Sequence, residues 1–198
     1  MKKIYMFVLL LASTLLMTGC GATIEVEGGV TISKDGTILG AVSSVLDKDY
    51  YDKDELKNMI DEEVAAVNGK LGEKAVEVKT YDVASDGLVT LKLKYKDSQA
   101  YEEFNGTEFY SGDSMTANET YGLVGNFVAV SGGNITTEEA VVPESSKIVV
   151  VSENMNISVP GEIVAVTDNV EVTGKQTVAV KLKNTEDGTQ ELAYVVYK

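Results

Sequence analysis

The stretch from Lys147 to Lys198 constrains the fold most, because turn formers cut it into short β-branched runs. The runs lie at 147–152, 156–159, 162–167, 170–173, 176–183 and 190–197. Between them stand Glu153-Asn154, Pro160-Gly161, Asp168-Asn169, Gly174-Lys175 and Asp187-Gly188. Runs this short, rich in Val, Ile and Thr and bounded by Gly, Pro, Asn and Asp, are strands rather than helices. Their even spacing predicts an antiparallel meander. The closing run, Leu192-Ala193-Tyr194-Val195-Val196-Tyr197, is apolar on both faces, which predicts an interior strand and not an edge.

The upstream sequence has mixed periodicity. Residues 24–33 alternate apolar and polar, Lys34-Asp35-Gly36 marks a turn, and 37–46 return as a second strand, giving a predicted hairpin. Residues 53–68 carry Leu56, Met59, Ile60, Val64 and Val67 on one helical stripe. Asp52 is placed to cap that helix, Glu55 completes a capping box, and Asn68-Gly69 supplies a stop. Strands follow at 75–83 and 88–96, then short helices at 98–104 and 113–120 with a brief strand at 107–110 between them. One apolar strand, Phe127–Val130, precedes Gly132-Gly133 and a polar stretch. Pro143–Ser146 reads as a connector. The expected fold class is therefore α+β. An N-terminal antiparallel sheet with two or three helices (24–142) is followed by an all-β antiparallel domain or subdomain (147–198).

The first residues carry a different message. Lys2 and Lys3 precede an apolar run from Ile4 to Met17, too short for a stable span, and small residues follow. This pattern is an export signal over 1–19. Met17-Thr18-Gly19-Cys20 resembles the lipobox of bacterial lipoproteins. That resemblance implies that the Cys20 thiol takes up a lipid and becomes the mature N-terminus. Cys20 is the sole cysteine of the chain. Two acyl chains hold a protein stably on a bilayer where one does not. Residues 20–23 would be a short tether, since its three spacer residues reach only roughly 10 Å. The Tyr50-Tyr51-Asp52-Lys53-Asp54-Glu55-Leu56 run and the close at Ala193–Lys198 resemble small surface lipoproteins of low-GC Gram-positive bacteria. That likeness implies an envelope location and brings no activity with it. The expected address is the extracytoplasmic face of the cell membrane, with the membrane reached through the lipid and an envelope protein as a further partner.

Composition excludes more chemistry than it suggests. The chain has 31 acids, 17 bases and no His, for a formal charge of −14. Every base is a lysine; loss of Lys2 and Lys3 with the signal takes the net charge to −16. Such a surface repels nucleic acid, which is not expected as a partner. Without His there is no Ser-His-Asp or Cys-His catalysis and no imidazole metal ligand. Without Arg there is no bidentate phosphate clamp. No cofactor is expected. Gly112-Asp113-Ser114 resembles the opening of the nucleophile block of GDS-type lipases, whose chemistry needs a His; Asp113 and Ser114 read better as the start of a helix.

Two minor alternatives remain. Asp47, Asp49 and Asp52 in the acidic run 47–55 are weak metal candidates for a cation or small-solute site. The alternation suits calcium, but Tyr51 takes a ligand position and no Gly provides the turn. Paired acids at Asp61-Glu62-Glu63, Glu102-Glu103 and Glu138-Glu139 offer the groups a glycoside hydrolase uses. The absence of Trp platforms argues against that activity. The expected role is non-enzymatic, an envelope interaction or accessory module. Tyr50, Tyr51, Tyr101, Tyr110 and Tyr121 are assigned mainly to packing.

Overall fold

The computed structural model describes residues 28–46, 52–123, 125–182 and 191–198. The export signal, Cys20, the tether and the first residues of the expected 24–33 strand lie outside the described residues, as do Asp47, Asp49, Tyr50 and Tyr51.

The α+β class holds. The chain opens with β1 (Gly29–Ile32) and β2 (Ile38–Val45), which form the expected hairpin. Asp35 closes its turn by accepting from the Thr37 amide and hydroxyl. α1 (Lys53–Leu71) starts where expected, with Asp52 accepting from the amides of Asp54 and Glu55. It does not stop at Asn68-Gly69. The Asn68 amide is engaged elsewhere, donating to the Val76 carbonyl and accepting from the Val76 amide. This clasp holds the helix end against the next strand, and the helix runs one turn further to Gly72, whose φ of 98° suits glycine. Ile60 and Val67 are buried and Leu56 and Val64 partly so, while Met59 lies exposed at the margin of the stripe.

β3 (Val76–Val83) and β4 (Leu88–Tyr95) form the second hairpin. α2 (Ser98–Asn105) and α3 (Ser114–Tyr121) follow close to their expected limits, while β5 (Phe109–Asp113) is displaced toward the C-terminus from the expected 107–110 because it pairs with the later strand Lys147–Val151. β6 (Phe127–Ser131) turns at Gly132-Gly133 into β7 (Asn134–Glu139), a strand that the sequence pattern does not reveal. β7 is almost wholly exposed and carries no alternation, because it is the outer edge of its sheet. Its Glu138 and Glu139 are the kind of charges that discourage edge pairing.

The C-terminal runs become β8 (Lys147–Val151), β9 (Asn156–Ser158), β10 (Ile163–Thr167), β11 (Val170–Val172), β12 (Thr177–Val180) and β13 (Ala193–Tyr197). They do not pair as a meander, nor do they make a sheet of their own. One sheet has the order β11-β12-β9-β1-β2-β4-β3 and the other β5-β8-β13-β10-β6-β7. Both mix early and late strands. All pairs are antiparallel except β1 with β9, which run parallel. The physical reason lies in β8 and β13. Val149, Val151, Ala193 and Val195 join the core that also holds Val30, Ile32 and Ile157 of the other sheet. Ile148, Val150, Tyr194 and Val196 point the other way, into a second cluster with Ala117 of α3 and Phe127. Strands apolar on both faces need cover on both faces, so they take interior places with neighbours from the N-terminal half. β13 is interior, as its composition predicts, and all five of its residues are buried.

α1 and α2 cover the β3–β4 end of the first sheet. α2 also closes the free edge of β5. The Glu102 carboxylate accepts from the Phe109 amide and the Ser98 hydroxyl oxygen accepts from the Ser111 amide. These bonds satisfy backbone donors that would otherwise sit bare at an edge.

Candidate functional site

Most of the candidate residues among the described ones have a structural partner. Asp52 is the α1 cap, and its carboxylate faces the helix amides. Asp113 caps α3, accepting from the Thr116 amide at 2.8 Å and the Thr116 hydroxyl at 3.0 Å. Those two bonds hold its carboxyl below the usual range. The neighbouring Ser114 is buried, and its hydroxyl donates to the carbonyls of Pro143 and Glu144. It ties α3 to the connector and is not presented as a nucleophile. Of the acidic pairs, Asp61 bridges Lys57 along α1, Glu103 bridges Lys70 of α1, and Glu102 is the β5 edge cap. Glu138 and Glu139 stand on the exposed edge strand β7.

The tyrosines divide as packing predicts. Tyr101 is buried, edge-on to Tyr95 with ring centroids 4.9 Å apart, and stacks near Phe109 at 4.3 Å. Its hydroxyl donates to Glu153 at 2.9 Å, and the Thr107 hydroxyl donates to the same oxygen at 2.9 Å. Burial drives the Tyr101 and Tyr95 hydroxyls far above the ordinary tyrosine range. Both therefore stay protonated at neutral pH; the Tyr101 hydroxyl donates to Glu153, while the Tyr95 hydroxyl accepts from the Asn105 side-chain amide. Tyr110 and Tyr121 are half-buried neighbours with centroids 6.0 Å apart.

One concavity was not legible in the sequence. A shallow cleft of about 360 Å³ lies between the Asp35-Gly36 turn, the β4–α2 junction at Lys96–Gln99, and Phe109–Ser111 with Glu102. Asp35, Asp97 and Glu102 all reach it, but each carboxylate already accepts a main-chain amide: Thr37, Ala100 and Phe109 respectively. Asp35 is lowered by its bonds to Thr37. Among the described residues, the carboxyl groups whose titration departs from normal, Asp35, Glu77 and Asp113, all shift downward. A glycosidase acid needs the opposite shift. The Asp35-Gly36 turn was visible in the sequence; its meeting with Asp97 and Glu102 at one end of the sheet depends on strand pairing.

Among the described residues, no group of three or more His, Cys, Asp or Glu is arranged to hold a metal. No described helix is long and apolar enough to cross a membrane. No buried side-chain polar atom among the described residues lacks a partner. No protein family model, curated protein or solved structure matches the chain.

Proposed function

We propose that this protein is a lipid-anchored lipoprotein of the extracytoplasmic membrane face, acting as a non-enzymatic interaction or accessory module of the cell envelope. The observation that carries the reading is Met17-Thr18-Gly19-Cys20 after a Lys2-Lys3 start and an apolar run. Support also comes from the described residues. Carboxylates at the cleft are taken up by backbone amides, and Ser114 is tied to carbonyls. The protein thus offers a rigid double-sheet body rather than a constellation of free reactive groups.

The test is a cross-linked pull-down from intact cells, comparing the wild type with Cys20→Ala. Partners captured by the wild type and lost from the variant support an envelope role set by membrane placement. An identical partner set from both would overturn it. The cation-binding alternative, built on Asp47, Asp49 and Asp52, has its own readout. A rise in melting temperature with millimolar calcium would favour it over the interaction role.

A further inference from the structure

An asparagine followed by glycine can react with its own backbone, because glycine puts no Cβ in the way of the attacking nitrogen. The chain contains two such pairs, Asn68-Gly69 and Asn105-Gly106. Space does not separate them. Both glycines are exposed, and a Cβ on either would meet nothing within 4 Å. Bonding does separate them.

Asn68 is clasped from both ends of its side chain. The side-chain oxygen accepts from the Val76 amide at 2.8 Å, and the side-chain nitrogen donates to the Val76 carbonyl at 3.0 Å. Its main-chain carbonyl accepts from the Gly72 amide at 3.0 Å. Gly69 lies inside α1, short of its end at Leu71. Before the Gly69 nitrogen can reach the Asn68 side chain, the helix must unwind and the clasp to β3 must break. Asn105 is placed differently. It is exposed and is the last residue of α2, a helix of 8 residues. Its side-chain nitrogen donates back to the Tyr101 carbonyl at 2.9 Å and, at 3.4 Å, to the Tyr95 hydroxyl. Gly106 takes a left-handed φ of 68°, and its amide donates to the Glu102 carbonyl at 2.8 Å. Apart from the long bond to Tyr95, these contacts all belong to the closing turn of α2, and closing turns fray first. Fraying by that one turn frees both the attacking nitrogen and the side chain it attacks.

We propose that the fold makes Asn105, and not Asn68, the Asn-Gly site at which this protein deamidates. The Gly106 nitrogen loses its proton to solvent and bonds to the side-chain carbonyl carbon of Asn105. The side-chain nitrogen leaves as ammonia, which closes a succinimide ring. Water then opens the ring at either carbonyl, giving aspartate or isoaspartate. The net change is one water consumed and one ammonia released, with a carboxylate where the amide stood. The carboxylate cannot donate, so the Tyr101 carbonyl loses the Asn105 bond. A negative charge also arrives at the negative end of the α2 dipole, in a turn that already carries Glu102 and Glu103. Both effects weaken the end of the helix whose Glu102 and Ser98 close the β5 edge.

The test holds the purified full chain in mildly alkaline heavy-oxygen water and maps its peptides by mass spectrometry over time. The heavy oxygen marks only product formed during the incubation. A parallel sample in urea gives the rates without the fold. We expect Asn105 to convert at least about tenfold faster than Asn68 in the folded protein, as for an end turn against a clasped helix interior. In urea the two should convert at similar rates. Asn68 converting as fast as Asn105 in the folded protein would overturn the proposal. An equal preference for Asn105 in urea would also overturn it, because the choice would then belong to the local sequence and not to α2. So would a folded Asn105 that takes up no label after both pairs have converted in urea.

Discussion

Replacing Gly29 with alanine probes the seam that joins the early and late halves of the chain. Gly29 pairs with Asn156 across the parallel β1–β9 contact. A Cβ on Gly29 would fall 1.9 Å from the Asn156 carbonyl oxygen and 2.7 Å from its carbonyl carbon, where real contacts stay above 3.0 Å. The obstacle is backbone, so no rotamer change relieves it. The strands must part by at least about 1.1 Å, or β1 must twist off its partner. Overpacking of this kind costs about 1–3 kcal/mol, and a strained or lost main-chain hydrogen bond adds about 1 kcal/mol. We therefore expect Gly29→Ala to lose about 2–4 kcal/mol in urea unfolding followed by far-ultraviolet circular dichroism. Gly69→Ala is the internal control. Gly69 lies within α1, is exposed, and has nothing within 4 Å of the added carbon. The same chemical change there should stabilise by about 0.5–1 kcal/mol through helix propensity. A Gly29→Ala protein within about 0.5 kcal/mol of wild type, the usual spread of surface changes, would refute the β1–β9 seam.

Three further outcomes follow from buried polar contacts. Asn169 is buried, accepts from the Thr167 hydroxyl at 2.6 Å and donates to the Leu192 carbonyl at 3.0 Å. Asn169→Ala takes the acceptor from the Thr167 hydroxyl, which keeps the Tyr194 amide, and the donor from the Leu192 carbonyl, and should cost about 2–4 kcal/mol by the same urea titration. Tyr101→Phe keeps the ring stack and removes one donor from Glu153. It should cost about 1–2 kcal/mol in thermal unfolding, and an unchanged melting temperature would count against the Tyr101–Thr107–Glu153 clasp. Tyr95 and Tyr101 have folded pKa values raised by burial. Their contribution is complete below the unfolded tyrosine pKa of about 10 and declines above it, because only the unfolded chain ionises there. For these two groups the slope approaches roughly 2.7 kcal/mol per pH unit above pH ~10, which a series of urea titrations between pH 9 and 11.5 would reveal.

Local chemistry made the elements legible, and non-local pairing hid their arrangement. The α1 start was readable because Asp52, Asp54 and Glu55 act within one turn of each other. The helix end was not, because Asn68 answers to Val76 across a loop. The interior place of β13 followed from its two apolar faces, but its neighbours β8 and β10 had no signature beyond their own hydrophobicity. β7 escaped notice since an exposed edge has no buried face to impose a period of two. The same division applies to the site. Asp113 was identifiable as a cap and Tyr101 as packing, whereas the cleft assembles from three distant segments. Cys20, Asp47 and Asp49 fall outside the described residues, so their assignment stands on sequence alone.

The most direct test is the intact mass and N-terminal fragmentation of the protein extracted from the membranes of cells producing it. We expect a chain beginning at Cys20, heavier than the bare polypeptide by a diacylglyceryl group on the thiol. A chain that begins elsewhere, or a Cys20 with a free thiol, would contradict the lipid anchor and the envelope role built upon it.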